Sequence, residues 1–215
     1  MFRPPAFDVT DQEVLYGLID SGGPAHLVST GEDGLDASVV PMLLDRRSGP
    51  LGTLSGHVAR ANPQWKSLER TPATLAIIPG ADAYISPSWY PTKAQTGKVV
   101  PTWNYTVVHV HGEAMVRHDV EWLASLVCRL TDRHEEHRTE PWSVEDAPTE
   151  FFETMLRGIV GIELQITRLE GKRKLSQNRP ADWESVVSAL STGTAAERDV
   201  ADDMLAERMA DSGDE

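Results

Sequence analysis

Within GHVARANPQW (56–65), His57, Arg60 and Asn62 fall inside six positions and are followed by Trp65. An imidazole, a guanidinium and an amide so close together can grip an anion. Arg60 suits phosphate best, because its planar fork makes paired charge-assisted bonds. SPSWY (86–90) and VPTWNY (100–105) set a tryptophan and a tyrosine beside small hydroxyls. Ser86, Trp89 and Tyr90, with Thr102, Trp103 and Asn104, offer a flat ligand a π-face and fixed donors and acceptors at its edge. A third cluster, GKRKLSQNR (171–179), places Lys174, Gln177 and Asn178 among further cations, suited to a phosphate or to steering an anion. Singly, each tryptophan fits a core and each arginine a structural ion pair. Three such clusters together point to a ligand or an interface.

Other chemistries lack their patterns. HEEHR (134–138) spaces its histidines by three, whereas a metalloprotease helix needs four with a glutamate between. His109 and His111 share a strand face but have only Glu113 nearby in sequence, so no metal site is expected. There is no GxGxxG, no P-loop and no GxSxG elbow. The single cysteine, Cys128, lies on a helical apolar face and excludes an internal disulfide framework.

These clusters must be positioned by a fold. A chain of 215 residues suits one domain with a sizeable core. Thr10 to Glu13 reads as a capping box before a helix with Val14, Leu15, Leu18 and Ile19 on one apolar face. Strand-like runs follow at 25–30, 35–45, 51–58, 74–80 and 82–88, with Pro79-Gly80 separating the last two. Residues 102–117 read as a long strand, 119–134 and 148–157 as helices, and 158–171 as a final strand. A short amphipathic helix is expected at 182–190. The pattern predicts a mainly β, antiparallel barrel with peripheral helices. Residues 1–190 are expected to form one domain and 191–215 an acidic helical or disordered tail.

Net charge is −13, of which −8 lies in residues 181–215. Such a chain gains no counterion-release affinity for DNA over its general surface. The N-terminal MFRPPAFDVTDQE shows no signal-peptide pattern and no run is long enough for a membrane helix, so a cytoplasmic protein is expected.

The blocks FRPPAFDVTD, GHVARANPQW, AYISPSWY, VPTWNYTVVHVHG, DAPTEFFETMLRGIVGIELQI and GKRKLSQNR occur in this order over residues 2–179. Through them the chain resembles the PaiB-type FMN-binding negative transcriptional regulators. The resemblance implies a six-stranded antiparallel split barrel and a homodimer with FMN in clefts where the subunits meet. It implies that His57, Arg60 and Asn62 wall the flavin cleft and that Trp65 anchors a following short helix. Ser86, Trp89, Tyr90, Thr102, Trp103 and Asn104 would add wall and partner contacts, with Lys174, Gln177 and Asn178 as second choice for the phosphate end. The family's regulatory label sits against the acidic charge and the lack of a helix-turn-helix pattern. The alternative is an oxidoreductase using FMN, or haem, on a small molecule.

Overall fold

The structure is a computed structural model describing residues 1–211. In chain order it contains β1 (Asp8–Val9), α1 (Gln12–Ser21), β2 (Ala25–Gly31), β3 (Gly34–Val40), β4 (Met42–Asp45), β5 (Thr53–Ala59), α2 (Gln64–Arg70), β6 (Ala73–Ile85), α3 (Thr92–Thr96), β7 (Thr102–Arg117), α4 (Val120–Glu135), α5 (Thr149–Arg157), β8 (Ile159–Lys174), α6 (Trp183–Ser191) and α7 (Ala195–Asp211). The strands form an eight-stranded sheet in the order β3-β2-β6-β7-β8-β5-β4, with β1 added to β8. β2 pairs antiparallel with β3 and β6, and β5 with β4 and β8. The expected class, mainly β with peripheral helices, is the one observed.

Three details differ from the sequence expectation. The count is eight strands where the resemblance implies six; the two-residue β1 pairs with β8, and Pro41 divides the 35–45 run into β3 and β4. Residues 74–88 form no pair of strands: β6 runs through Pro79-Gly80 without a break. Its pairing with β2 covers only Leu75 to Ile77, so the missing N–H of Pro79 removes no bond on that side. Gly80 permits close approach to β7, since a Cβ there would lie 2.9 Å from Thr106 Cβ. At the first helix the cap is Asp11, whose Oδ1 accepts from Glu13 N at 2.8 Å and Val14 N at 3.0 Å, in place of the expected Thr10 box.

The chain divides into two compact units. One comprises residues 1–22, 79–108 and 170 onward. Its core joins Ile85 and Tyr90 to Leu175, Val186 and Leu190 of the C-terminal region, and to Val200, Ala201 and Met204 of α7. Residues 191–215 are expected as an acidic helical or disordered tail. Within them α7 turns Val200, Ala201 and Met204 inward at 0–1% exposure, and 212–215 lie outside the described residues. Thr106 donates to Asp203 at 2.9 Å, and Arg173 pairs with Glu207 at 2.5 Å.

The other unit comprises residues 23–78 and 109–169. Here α4 begins where Asp119 Oδ1 accepts from Trp122 N at 2.7 Å. Its buried Leu126 and Leu130 pack on Leu43 of β4. Strands β6, β7 and β8 each contribute residues to both units.

Candidate functional site

In the first unit the basic cluster is sorted by the two-residue period of β8. Arg173 goes to α7, where its guanidinium meets Glu207 and lies 3.8 Å from Asp203. Lys172 and Lys174 take the other face. The Lys172 ammonium sits over the rings of Tyr105 and Phe2, at 5.1 and 5.8 Å. Lys174 Nζ donates to Thr102 Oγ1 at 2.6 Å and to the carbonyl of Trp103. No carboxylate among the described residues pairs with Lys174. Burial, then the charges of Lys172 and Arg179, hold its ammonium below the usual lysine range. An added anion would relieve all three effects.

The turn after β8 holds this arrangement. Ser176 takes a left-handed conformation, φ 64°, which is costly for a non-glycine residue. Gln177 spans the turn, accepting from Leu175 N at 2.7 Å and donating to Arg173 O at 2.8 Å. Asn104, fully buried, exchanges bonds with Ser176 Oγ at 3.0 and 3.1 Å. Arg179 lies 4.9 Å from the Tyr90 ring centre and 3.5 Å from Asp182. Asn178 is exposed. The Tyr90 ring is buried, and burial pushes its phenol pKa up. Ser86 Oγ accepts from Ser88 N at 3.2 Å, and Trp89 packs on the core of this unit. Trp103 is 53% exposed and meets Tyr84 edge-on at 6.1 Å. An open aromatic surface thus adjoins the backbone carbonyl that holds Lys174.

His57, Arg60 and Asn62 belong to the second unit, apart from the other nine expected residues. Arg60 Nε donates to Arg157 O at 2.7 Å and Nη2 to Ile159 O at 2.8 Å. One bond reaches the last residue of α5, where carbonyls carry partial negative charge, and the other the first residue of β8, so Arg60 ties the end of β5 to both. Arg60→Ala is expected to lower unfolding free energy by about 1 kcal/mol, measured in urea. Asn62 Oδ1 accepts from Gln64 N at 2.9 Å, and its Nδ2 donates to Ser38 at 2.8 Å. Gln64, fully buried, donates to Leu27 O at 2.8 Å and Ser29 Oγ at 3.0 Å, docking α2 on β2. Trp65 Nε1 donates to Arg60 O at 3.0 Å. In GHVARANPQW, therefore, the polar side chains organise a β5–α2 joint.

His57 is different. Its Nδ1 is buried without a hydrogen-bond partner, and burial lowers its pKa below the ordinary 6.5. The unfolded chain then binds a proton that the folded chain resists. The stability linked to this group is complete above about pH 6.5 and is lost as pH falls towards the folded pKa. Urea unfolding between about pH 8 and about pH 5 should therefore decline more steeply for the wild type than for His57→Leu.

Sequence reading places Lys172, Ser176 and Arg179 in the basic cluster suited to a phosphate but selects only Lys174, Gln177 and Asn178 from it as site residues. It also passed over Trp142, Phe151 and Met155, which are 48, 56 and 49% exposed; Phe151 and Met155 stand four apart in TEFFETMLR, and Trp142 lies outside that run.

Comparison with known proteins bears on the family and the fold. A family model described as "Putative FMN-binding domain" matches residues 1–168. Protease synthase and sporulation protein PAI 2 of Bacillus subtilis is 31% identical over 191 residues, 88% of this chain and 89% of its own. Among solved structures, a conserved hypothetical protein of Mycobacterium tuberculosis matches with TM-score 0.56 and 15% identity, over 83% of this chain and 92% of its own. The FAD and haem binding protein of Mycobacterium smegmatis gives TM-score 0.54 and 16% identity, over 78% of this chain and 73% of its own. At such identities these two show the fold alone. The family match and the PAI 2 relative each span most of the chain, and the protein belongs to the PaiB-type FMN-binding family, built on the split-barrel fold.

Proposed function

We propose that the protein binds FMN as a homodimer and couples flavin occupancy or redox state to gene expression through a protein partner in the cytoplasm. The observation that carries the flavin placement is Lys174: a partly buried cation, repelled by two others and matched to no carboxylate among the described residues, beside an exposed aromatic pair. This donor set fits a phosphate with an attached flat ring. Lys174, Lys172 and Arg179 would hold the phosphate, with Thr102 and Gln177 adjoining and Trp103 and Tyr84 offering ring surface. Bound flavin supplies one- and two-electron chemistry. The protein residues orient the ring and neutralise the phosphate. Arg60 and Asn62 support the β5–α2 joint.

The regulatory half of the reading draws on the name of the PAI 2 relative, which links that protein to protease synthesis and sporulation. Action through a partner follows from the net charge of −13, which opposes a general DNA-gripping surface. Among the described residues, no helix is long and apolar enough to cross a membrane.

The test takes the purified full chain with FMN in excess. A flavin absorption band that stays with a dimer-sized species, release of FMN on denaturation and no salt-sensitive DNA gel shift are expected. Failure to retain flavin would overturn the cofactor placement, and a monomer the dimer. Tight, salt-sensitive DNA binding would overturn action through a partner. Steady consumption of reduced nicotinamide would make the protein an oxidoreductase instead.

A further inference from the structure

We propose that Phe2 is a further ring-contacting residue of the flavin site, laid by an N-terminal strap against the isoalloxazine of a flavin whose phosphate sits on Lys174. The inference rests on that placement and extends it to the FRPPAFDVTD block (2–11). The strap is fixed at several points. Asp8 and Val9 of β1 pair with Lys172 and Gly171 of β8. Arg3 meets Asp8 at 2.5 Å, and the Met1 ammonium meets Glu170 at 2.7 Å, where both groups are buried. Pro4 and Pro5 restrict the backbone between these ties, and Phe7 N donates to Pro4 O at 2.9 Å. A strap held in this way keeps Phe2 level with Lys172, although the residue is 82% exposed.

Lys172 sets the position of the ring. It is 8% exposed, and its ammonium lies over Phe2 at 5.8 Å and over Tyr105 at 5.1 Å. A largely desolvated ammonium is stabilised by the negative faces of such rings, so Lys172 acts as a positioning residue for Phe2. Lys174 follows on the same face of β8, about 7 Å further along the strand. The ribityl arm of a flavin spans a gap of that order, so a phosphate on Lys174 leaves the ring within reach of Phe2. Trp103 and Tyr84 adjoin Lys174 through the Trp103 carbonyl. Aromatic surface therefore continues from Tyr84 to Phe2 with the two cations along it, and all of these residues belong to the first unit. A lone exposed ring is ordinary. A ring that extends an aromatic surface, beside a cation paired with no carboxylate among the described residues, is matched by a flat guest carrying a phosphate.

The test titrates the full-length protein with FMN and with riboflavin, read by flavin fluorescence, in the wild type, Phe2→Ala, Phe2→Trp and Lys174→Met. Phe2→Ala should weaken both flavins by the same factor, about fivefold, the scale of one aromatic pair. Phe2→Trp should bind both at least as tightly as the wild type. The preference for FMN over riboflavin should survive in Phe2→Ala and collapse in Lys174→Met. Phe2 is exposed, so its variants should fold, and far-UV circular dichroism matching the wild type checks this. Unchanged affinity of Phe2→Ala for both flavins, with the dependence on Lys174 intact, would overturn the inference and leave the flavin placement standing. A loss confined to FMN would move Phe2 to the phosphate end and also overturn it. A wild type that takes up neither flavin, or a preference untouched by Lys174→Met, would sink the placement itself and the inference with it.

Discussion

A chain ending at Thr194 is expected not to fold. Its first unit would lose Val200, Ala201 and Met204, all of them buried, and would uncover Val186 and Leu190. Arg173 would lose Glu207 and Asp203, and Thr106 its bond to Asp203. Each large apolar side chain contributes about 2 kcal/mol, and leaving a part-buried cation unmatched adds a comparable cost. The sum reaches about 5 kcal/mol, the lower edge of typical domain stability. Far-UV circular dichroism and urea unfolding read the outcome. A milder version keeps the full chain: Met204→Ala is expected to cost about 3 kcal/mol, whereas half-exposed Leu205→Ala costs less than about 0.5 kcal/mol. Equal effects at the two positions would show that α7 does not pack as described.

The second large effect is expected at Lys174. Lys174→Glu puts a carboxylate where the phosphate of FMN is proposed to sit, and FMN affinity should fall about a hundredfold, or about 2.7 kcal/mol. Lys174→Arg keeps the charge and should retain affinity within about fivefold. Thermal stability distinguishes a binding loss from misfolding. Lys174→Glu gains attraction to Lys172 and Arg179 but loses the bonds to Thr102 and the carbonyl of Trp103, so the variant is compared only where its far-UV circular dichroism matches the wild type. A variant that binds FMN normally would remove Lys174 from the phosphate role.

Much of the fold is legible in residue order because alternation and capping are local. The long strand at 102–117 and the helix capped by Asp119 appear where their patterns lie. Pro79-Gly80 misleads because its usual meaning is a turn, whereas the absence of a β2 partner at Pro79 and the closeness of Thr106 to Gly80 are facts of pairing. The acidic composition of α7 hides its inward stripe: Val200, Ala201 and Met204 sit among carboxylates, two of which hold Arg173.

At the candidate site, residue type was visible and commitment was not. Arg60 offers the right fork for phosphate, but its acceptors are carbonyls 97 and 99 positions away. Lys174 gives the same local signal as Lys172 and Arg173. What sets it apart is that β8 sends Arg173 to the carboxylates of α7 and leaves Lys174 facing Thr102. Family membership was legible because the matching blocks are contiguous.

The most direct measurement is the ratio of affinities for FMN and riboflavin, which differ only in the phosphate. The wild type should prefer FMN by at least about thirtyfold, or about 2 kcal/mol, with the preference collapsing in Lys174→Met. Equal affinity of the wild type for the two flavins, or an undiminished preference in Lys174→Met, would contradict a phosphate seat at Lys174.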